Sequence, residues 1–117
     1  MTQSSEISSS VVKSFEVLDI DVLDRNCENI GKIEEIILDK MRGEVKYLVL
    51  SFGGFLGVGE KLFAIPWNSI RYNEKEKSFI MDIVKASLKD APGFDRNKWP
   101  DFADKTFGKK ISDYYNA

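Results

Sequence analysis

Histidine is absent from the 117-residue chain, and cysteine occurs once, as Cys27. The first absence excludes Ser-His-Asp and Cys-His catalysis, histidine-ligated zinc, and the commonest general base near neutral pH. The second excludes an intramolecular disulfide and a thiolate-only metal site, and makes a cytoplasmic home the expectation. A dominant sign of charge is lacking too: 17 basic residues face 19 acidic ones, for a formal charge of -2. Such a chain has no net field to gather phosphates, so nucleic acid is not an expected partner. Long apolar runs are missing as well. The longest uncharged stretch, Tyr47 to Gly59, has thirteen residues and four glycines, too short and too glycine-rich for a transmembrane segment. The first ten residues, MTQSSEISSS, hold five serines and no basic residue, which reads as a disordered tail and not a signal peptide.

What is present suits one small globular domain. Apolar residues make up 43% and charged residues 31%, enough for a single modest core. Ile30 to Leu38 (IGKIEEIIL) is the first strand candidate, although its short apolar run also admits a helix. The following Asp39 to Gly43 and the run Val45 to Phe52 (VKYLVLSF) decide for two strands joined by a tight turn, with Gly43 in its left-handed position. In the second strand Val45, Tyr47 and Val49 share one face, and Leu48, Leu50 and Phe52 the other. Both faces are apolar, so both need covering, as in a sheet curled into a small barrel and packed on its outside. Leu62 to Trp67 (LFAIPW) gives a strand ended or held to an edge by Pro66, with Trp67 expected in the core. Ile70 to Tyr72 and Ser78 to Val84 add strands around the solvated turn Asn73 to Lys77, and Phe15 to Leu23 gives one or two short extended pieces.

Composition shifts near Ala91-Pro92-Gly93. Residues 1–84 carry 10 basic and 14 acidic groups, whereas residues 85–117 carry 7 and 5. Beyond the shift, Trp99, Phe102, Phe107, Ile111, Tyr114 and Tyr115 fall roughly on one helical face, with Asp101 as the expected cap and Asp104 in the first turn. Lys109 and Lys110 sit near the expected end, and Gly108 weakens the helix. The basic residues of this tail, Arg96 among them, read as a solvated helix face.

Constellations that could carry chemistry fail in detail. Gly54 to Gly59 suggests a phosphate loop, but Glu60 stands where the lysine belongs and Leu62 follows Lys61 in place of a hydroxyl residue. A hairpin loop is the better reading, with Gly53 and Gly54 structural and at least one of them at positive φ. Phe55 and Leu56 then either plug the barrel's end or form a contact tip. Asp19, Asp21 and Asp24 resemble the start of a calcium loop but lack its third ligand spacing and central glycine, so a half-exposed strand is favoured. Glu34 and Glu35 point to opposite faces as solvated charges, and Cys27 reads as a half-buried thiol in a turn.

With those strands in place, the chain resembles the PRC-barrel family, whose fold is named for the cytoplasmic domain of the photosynthetic reaction centre H subunit. The resemblance runs from about Phe15 to Gly93 and rests on IGKIEEIILDKMRGEVKYLVLSFGGFLGVGEKLFAIPW, Ile30 to Trp67, with its glycine-rich loop and Pro-Trp ending, and on the exit Leu88 to Gly93. It implies a mainly β fold: a small barrel of five to six short strands over residues 11–93, after a tail over 1–10 and before an aromatic helical extension over 94–117. It brings no catalytic residues and no cofactor. The family includes the reaction centre subunit and a ribosome-maturation protein, but neither the membrane helix of the one nor the extra N-terminal domain of the other is expected here. The resulting expectation is a non-enzymatic protein-interaction or assembly module. The alternatives are an RNA or ribosome-maturation accessory, and a small-ligand or cation sensor. Phe55, Leu56, Trp99, Phe102 and Tyr114 are the candidate contact residues; Gly43, Gly53, Gly54, Pro66 and Trp67 are the structural ones. A homodimer is expected, because the apolar outer face of the central strand and the aromatic tail bury more when two copies share them.

Overall fold

The computed structural model describes residues 10–53 and 61–116. The expected tail over residues 1–10 falls outside this range except for Ser10, as do Gly54, Phe55 and Leu56. Six strands follow in chain order: β1 (Asp21–Leu23), β2 (Asn29–Asp39), β3 (Glu44–Phe52), β4 (Lys61–Pro66), β5 (Ile70–Asn73) and β6 (Ser78–Met81). One helix, α1 (Lys105–Tyr115), follows them. The strands form one sheet in the order β4-β3-β2-β1-β6-β5, antiparallel except where β1 runs parallel to β6. The sheet curls into a half-barrel, the mainly β fold expected from the sequence.

The curl has an identifiable cause in β2. Its early residues pair with β1 and its later residues with β3, and the register slips between Ile33 and Glu35 and again between Ile37 and Leu38. Bulges of this kind bend a strand and tighten its twist. Gly31 lets β2 press onto its neighbour: its φ is 142°, and a Cβ there would lie 2.1 Å from the Ser51 carbonyl oxygen. Only glycine fits.

Alternation along β3 produces two buried faces, as the sequence requires. Leu48, Leu50 and Phe52 join Val22, Ile33, Phe63, Ile65, Phe79 and Met81 inside the curl. Tyr47 and Val49 face outward with Leu62 and Ala64, yet these too are buried, at 4% exposure or less. What covers them is the chain's own C-terminal segment, through Phe94 and Ile111, with Phe102, Phe107 and Tyr115 at the margin. The outer face, one of the two surfaces from which a homodimer is expected, is covered by the chain's own tail.

Several local expectations are corrected. Phe15 lies in a 3-10 turn, Ser14–Glu16, and not in a strand, so the upstream region contributes only the three residues of β1. The last strand stops at Met81 and does not continue to Val84. Pro66 does end β4, at the sheet's edge, but the chain then enters a 3-10 turn, Trp67–Ser69, which swings Trp67 off the sheet and leaves it 47% exposed. The helix starts later than expected: Asp104, not Asp101, is its cap, accepting a hydrogen bond from Thr106 N. Asp101 instead holds a turn by accepting from Ala103 N, and Lys109 and Lys110 fall in the middle of α1.

Candidate functional site

The turn between β2 and β3 is built by one side chain. Asp39 Oδ1 accepts hydrogen bonds from Met41 N and Arg42 N, both at 3.0 Å, and the Asp39 carbonyl accepts from Gly43 N at 2.8 Å. Gly43 completes the reversal with φ 71°, the left-handed conformation expected of it. A turn pinned at both ends holds out what lies on it. Met41 is 88% exposed and Leu38, at the end of β2, 64%.

Facing this turn is the segment Pro100 to Ala103, which leads into α1. Between the two lies a groove of about 500 Å³, lined by Ile37, Leu38, Met41, Lys46, Pro100 and Phe102, with Lys40, Asp39, Asp101 and Ala103 around it. Its two carboxylates are occupied, Asp39 by the turn amides and Asp101 by Ala103 N. Its two lysines are not. Among the described residues no carboxylate pairs with Lys40 or Lys46, although the Lys46 Nζ lies 5.7 Å from the centre of the Tyr47 ring.

Phe102 has two surfaces. One lines the groove; the other fastens the tail. Its ring lies 5.8 to 6.1 Å from those of Tyr47, Phe94, Trp99 and Phe107, mostly edge to face, the favoured arrangement for aromatic pairs. Trp99 also packs on Phe94, at 5.1 Å, and keeps 39% of its surface exposed. Tyr114, 37% exposed, stacks edge-on against Tyr115 and donates its hydroxyl hydrogen to the Ser87 carbonyl. Of the sequence candidates, the groove therefore contains Phe102, while Trp99 and Tyr114 lie elsewhere on the tail. Phe55 and Leu56 are outside the described residues, as is Gly54; Gly53 is exposed at the end of β3.

The acidic candidates separate. Asp19 occupies a left-handed position, Asp21 pairs with Lys32 at 3.3 Å, and Asp24 is buried at 1% exposure. Asp24 accepts from Asn26 N and Glu28 N on one oxygen and from Lys85 N on the other, all within 2.9 Å. Burial opposes its charge, but these three amides outweigh it and hold the carboxyl below its ordinary pKa. It is a staple between the β1–β2 turn and the 3-10 turn Lys85–Asp90, not part of a cation loop. Among the described residues no group of carboxylates and thiols could hold a metal ion.

Glu34 is not simply solvated: both its oxygens accept from the Arg96 guanidinium, which takes Arg96 out of any helix face and ties the tail to β2. Cys27 is exposed, not half-buried, and occupies a left-handed position in its turn, φ 64°. Burial raises the pKa of the Tyr47 hydroxyl, and burial with neighbouring Tyr114 raises that of Tyr115, so both stay protonated. A second cavity, of about 470 Å³, lies between β5, β6 and the end of α1, bordered by Asn68, Arg71, Tyr114 and Asn116.

Sequence reasoning missed the groove because its walls lie some 60 residues apart in the chain. The one local signal was Met41 between Lys40 and Arg42, in a turn otherwise composed of polar residues.

The PRC-barrel domain matches residues 10–88, and the chain belongs to that family. Comparison with curated proteins returned no match. No helix among the described residues is long and apolar enough to cross a membrane.

Proposed function

We propose that the chain is a non-enzymatic protein-interaction module of the cytoplasm, and that the groove beside the β2–β3 turn is a contact surface. The observation that carries this reading is the exposure of Leu38 and Met41 on a turn whose backbone is fixed by Asp39 and Gly43. Single exposed apolar residues are ordinary, but two such side chains beside a groove also lined by Ile37, Pro100 and Phe102 form a surface that gains by contact. The non-enzymatic part is supported by the lack of histidine and by the occupation of Asp24, Asp39, Asp101 and Glu34 in structural bonds. A homodimer, in this reading, has to use surfaces other than the outer face of β3 and β4, which the tail covers.

Quantitative co-purification from the native host tests this, comparing the wild type with a Leu38→Ser, Met41→Ser double variant of equal melting temperature. The expected result is a stoichiometric protein partner that is lost with the double variant. Equal recovery of every protein by both forms overturns the groove as contact surface. Turnover of a generic ester, phosphate or nucleotide substrate, abolished by one substitution, overturns the non-enzymatic reading. Ribosomal proteins or RNA in the eluate would shift the assignment to a ribosome-maturation accessory.

A further inference from the structure

The two edges of the sheet differ. At one edge β4 is closed: Leu62 exchanges two backbone hydrogen bonds with Phe94, Ala64 is fully buried beneath the tail, and Pro66 has no N–H to offer. At the other edge β5 is open. It pairs with β6 residue for residue, from Ile70 opposite Met81 to Asn73 opposite Ser78, with no bulge. No strand follows on its far side, and among the described residues Ile70 to Asn73 make no backbone hydrogen bond outside that ladder. In an antiparallel pair, the backbone groups of successive residues turn alternately toward the partner and away from it. Every second residue of β5 therefore presents an unpaired N–H and C=O to the outside. Arg71 and Tyr72, in the middle of the strand, are both exposed.

We infer that β5 accepts an extended segment of a partner protein as a further strand, at a second contact surface separate from the groove. Unpaired donors and acceptors at strand spacing are complementary to another extended backbone, which fixes the class of partner more narrowly than an apolar patch does. The two faces of β5 offer different side-chain contacts. Ile70 and Tyr72 fall on the face of the barrel's interior, where the Tyr72 ring lies 5.3 Å from that of Phe79, edge to face, and stays 41% exposed. Arg71 falls on the opposite face and borders the cavity of about 470 Å³ that ends at Tyr114 and Asn116. Successive side chains of the incoming segment meet Tyr72 and this cavity in turn. A second copy of the chain is the less suitable occupant. The four residues of β5 span about 13 Å, a small part of the roughly 800 Å² per partner that stable complexes of folded proteins bury. An extended peptide takes its hydrogen bonds from the edge itself.

The test is selection of a displayed random-peptide library on the immobilised full chain. Enriched peptides are titrated by fluorescence polarisation, and their effect on β5 is read by amide hydrogen exchange. The expected peptides are rich in β-branched and aromatic residues and free of proline at their centre. Methylating single backbone nitrogens of such a peptide should weaken it about tenfold or more at alternate positions and little between them, since only every second N–H faces β5. Binding should slow the exchange of alternate amides within Ile70 to Asn73 and be equally tight to the Leu38→Ser/Met41→Ser variant. Failure to enrich any peptide, methylation effects without alternation, or unchanged exchange of the β5 amides in the complex each overturn the inference. So does β5 protection that grows with protein concentration in the absence of peptide, which would assign the edge to a second copy. A peptide lost from Leu38→Ser/Met41→Ser belongs to the groove and overturns the edge site, while the groove reading stands.

Discussion

The ring of Phe102 lies 5.9 Å from the ring of Tyr47, at an interplanar angle of 44°, and this contact joins the C-terminal segment to the outer face of the barrel's central strand. Phe102 reaches that position because Asp101 and Asp104 form a turn around it, with Asp104 N donating to the Asp101 carbonyl at 3.0 Å. The same residue then lines the groove on its other side. Fastening of the tail and formation of the groove are thus one structural event.

Replacing Phe102 with alanine is expected to cost about 2–3 kcal/mol, somewhat below a fully buried Phe→Ala because the ring is only half-buried. Denaturant unfolding followed by tyrosine and tryptophan fluorescence measures this. A loss under about 0.5 kcal/mol, the level of an ordinary surface substitution, contradicts the assigned role.

Two glycines are expected to respond to alanine in opposite directions. At Gly31 the new Cβ meets the Ser51 carbonyl oxygen at 2.1 Å with φ at 142°, so the substitution should cost about 3 kcal/mol or more. At Gly108, within α1, the Cβ meets only the Tyr47 hydroxyl, at an ordinary 3.6 Å. There the gain in helix propensity should stabilise by about 0.5–1 kcal/mol. Thermal melts of the two variants decide, and a neutral Gly31→Ala contradicts the close approach of β2 to β3.

Asp24 gives the fold an acid-sensitive staple. Its folded pKa lies below the ordinary value, so its contribution is complete above the unfolded carboxyl pKa of about 4 and is lost as pH falls through the lower folded value. Asp24→Asn places an NH₂ group against one of the three amide donors and should cost about 2 kcal/mol at neutral pH. The same variant should show a shallower loss of stability on acidification. An unchanged acid limb in urea titrations contradicts the role.

These residues show what the sequence could and could not reveal. Alternation in Val45 to Phe52 exposed the two-faced character of β3, and Asp39 to Gly43 carried its own turn chemistry, because those signals are local. Gly31 gave no such signal, since what excludes a side chain there is Ser51, twenty residues away in the sequence. Asp24 read as one carboxylate of a polar strand because the Lys85 amide that completes its set lies 61 positions on. The aromatic spacing of the tail showed that it must dock but not on what. Phe94, which exchanges two backbone hydrogen bonds with Leu62, steers it back onto its own barrel. Trp67 misled because the Pro-Trp pair ends the strand and the tryptophan belongs to the turn beyond.

Removal of residues 95–117 should uncover Tyr47, Val49 and Ala64 together. The shortened barrel is then expected to aggregate, as contiguous exposed apolar surface favours association. Light scattering of the shortened chain beside the full chain checks this, and a shortened chain that remains monodisperse contradicts the covering role of the tail.

The most direct measurement is an isotope-filtered NOE experiment on an equimolar mixture of labelled and unlabelled full-length chains, read at the Tyr47 and Phe102 rings. The account predicts strong Tyr47–Phe102 cross-peaks within the labelled chain and none between labelled and unlabelled chains, because the tail covers its own barrel. Cross-peaks between chains would show that the outer face is closed by a second copy, and would contradict it.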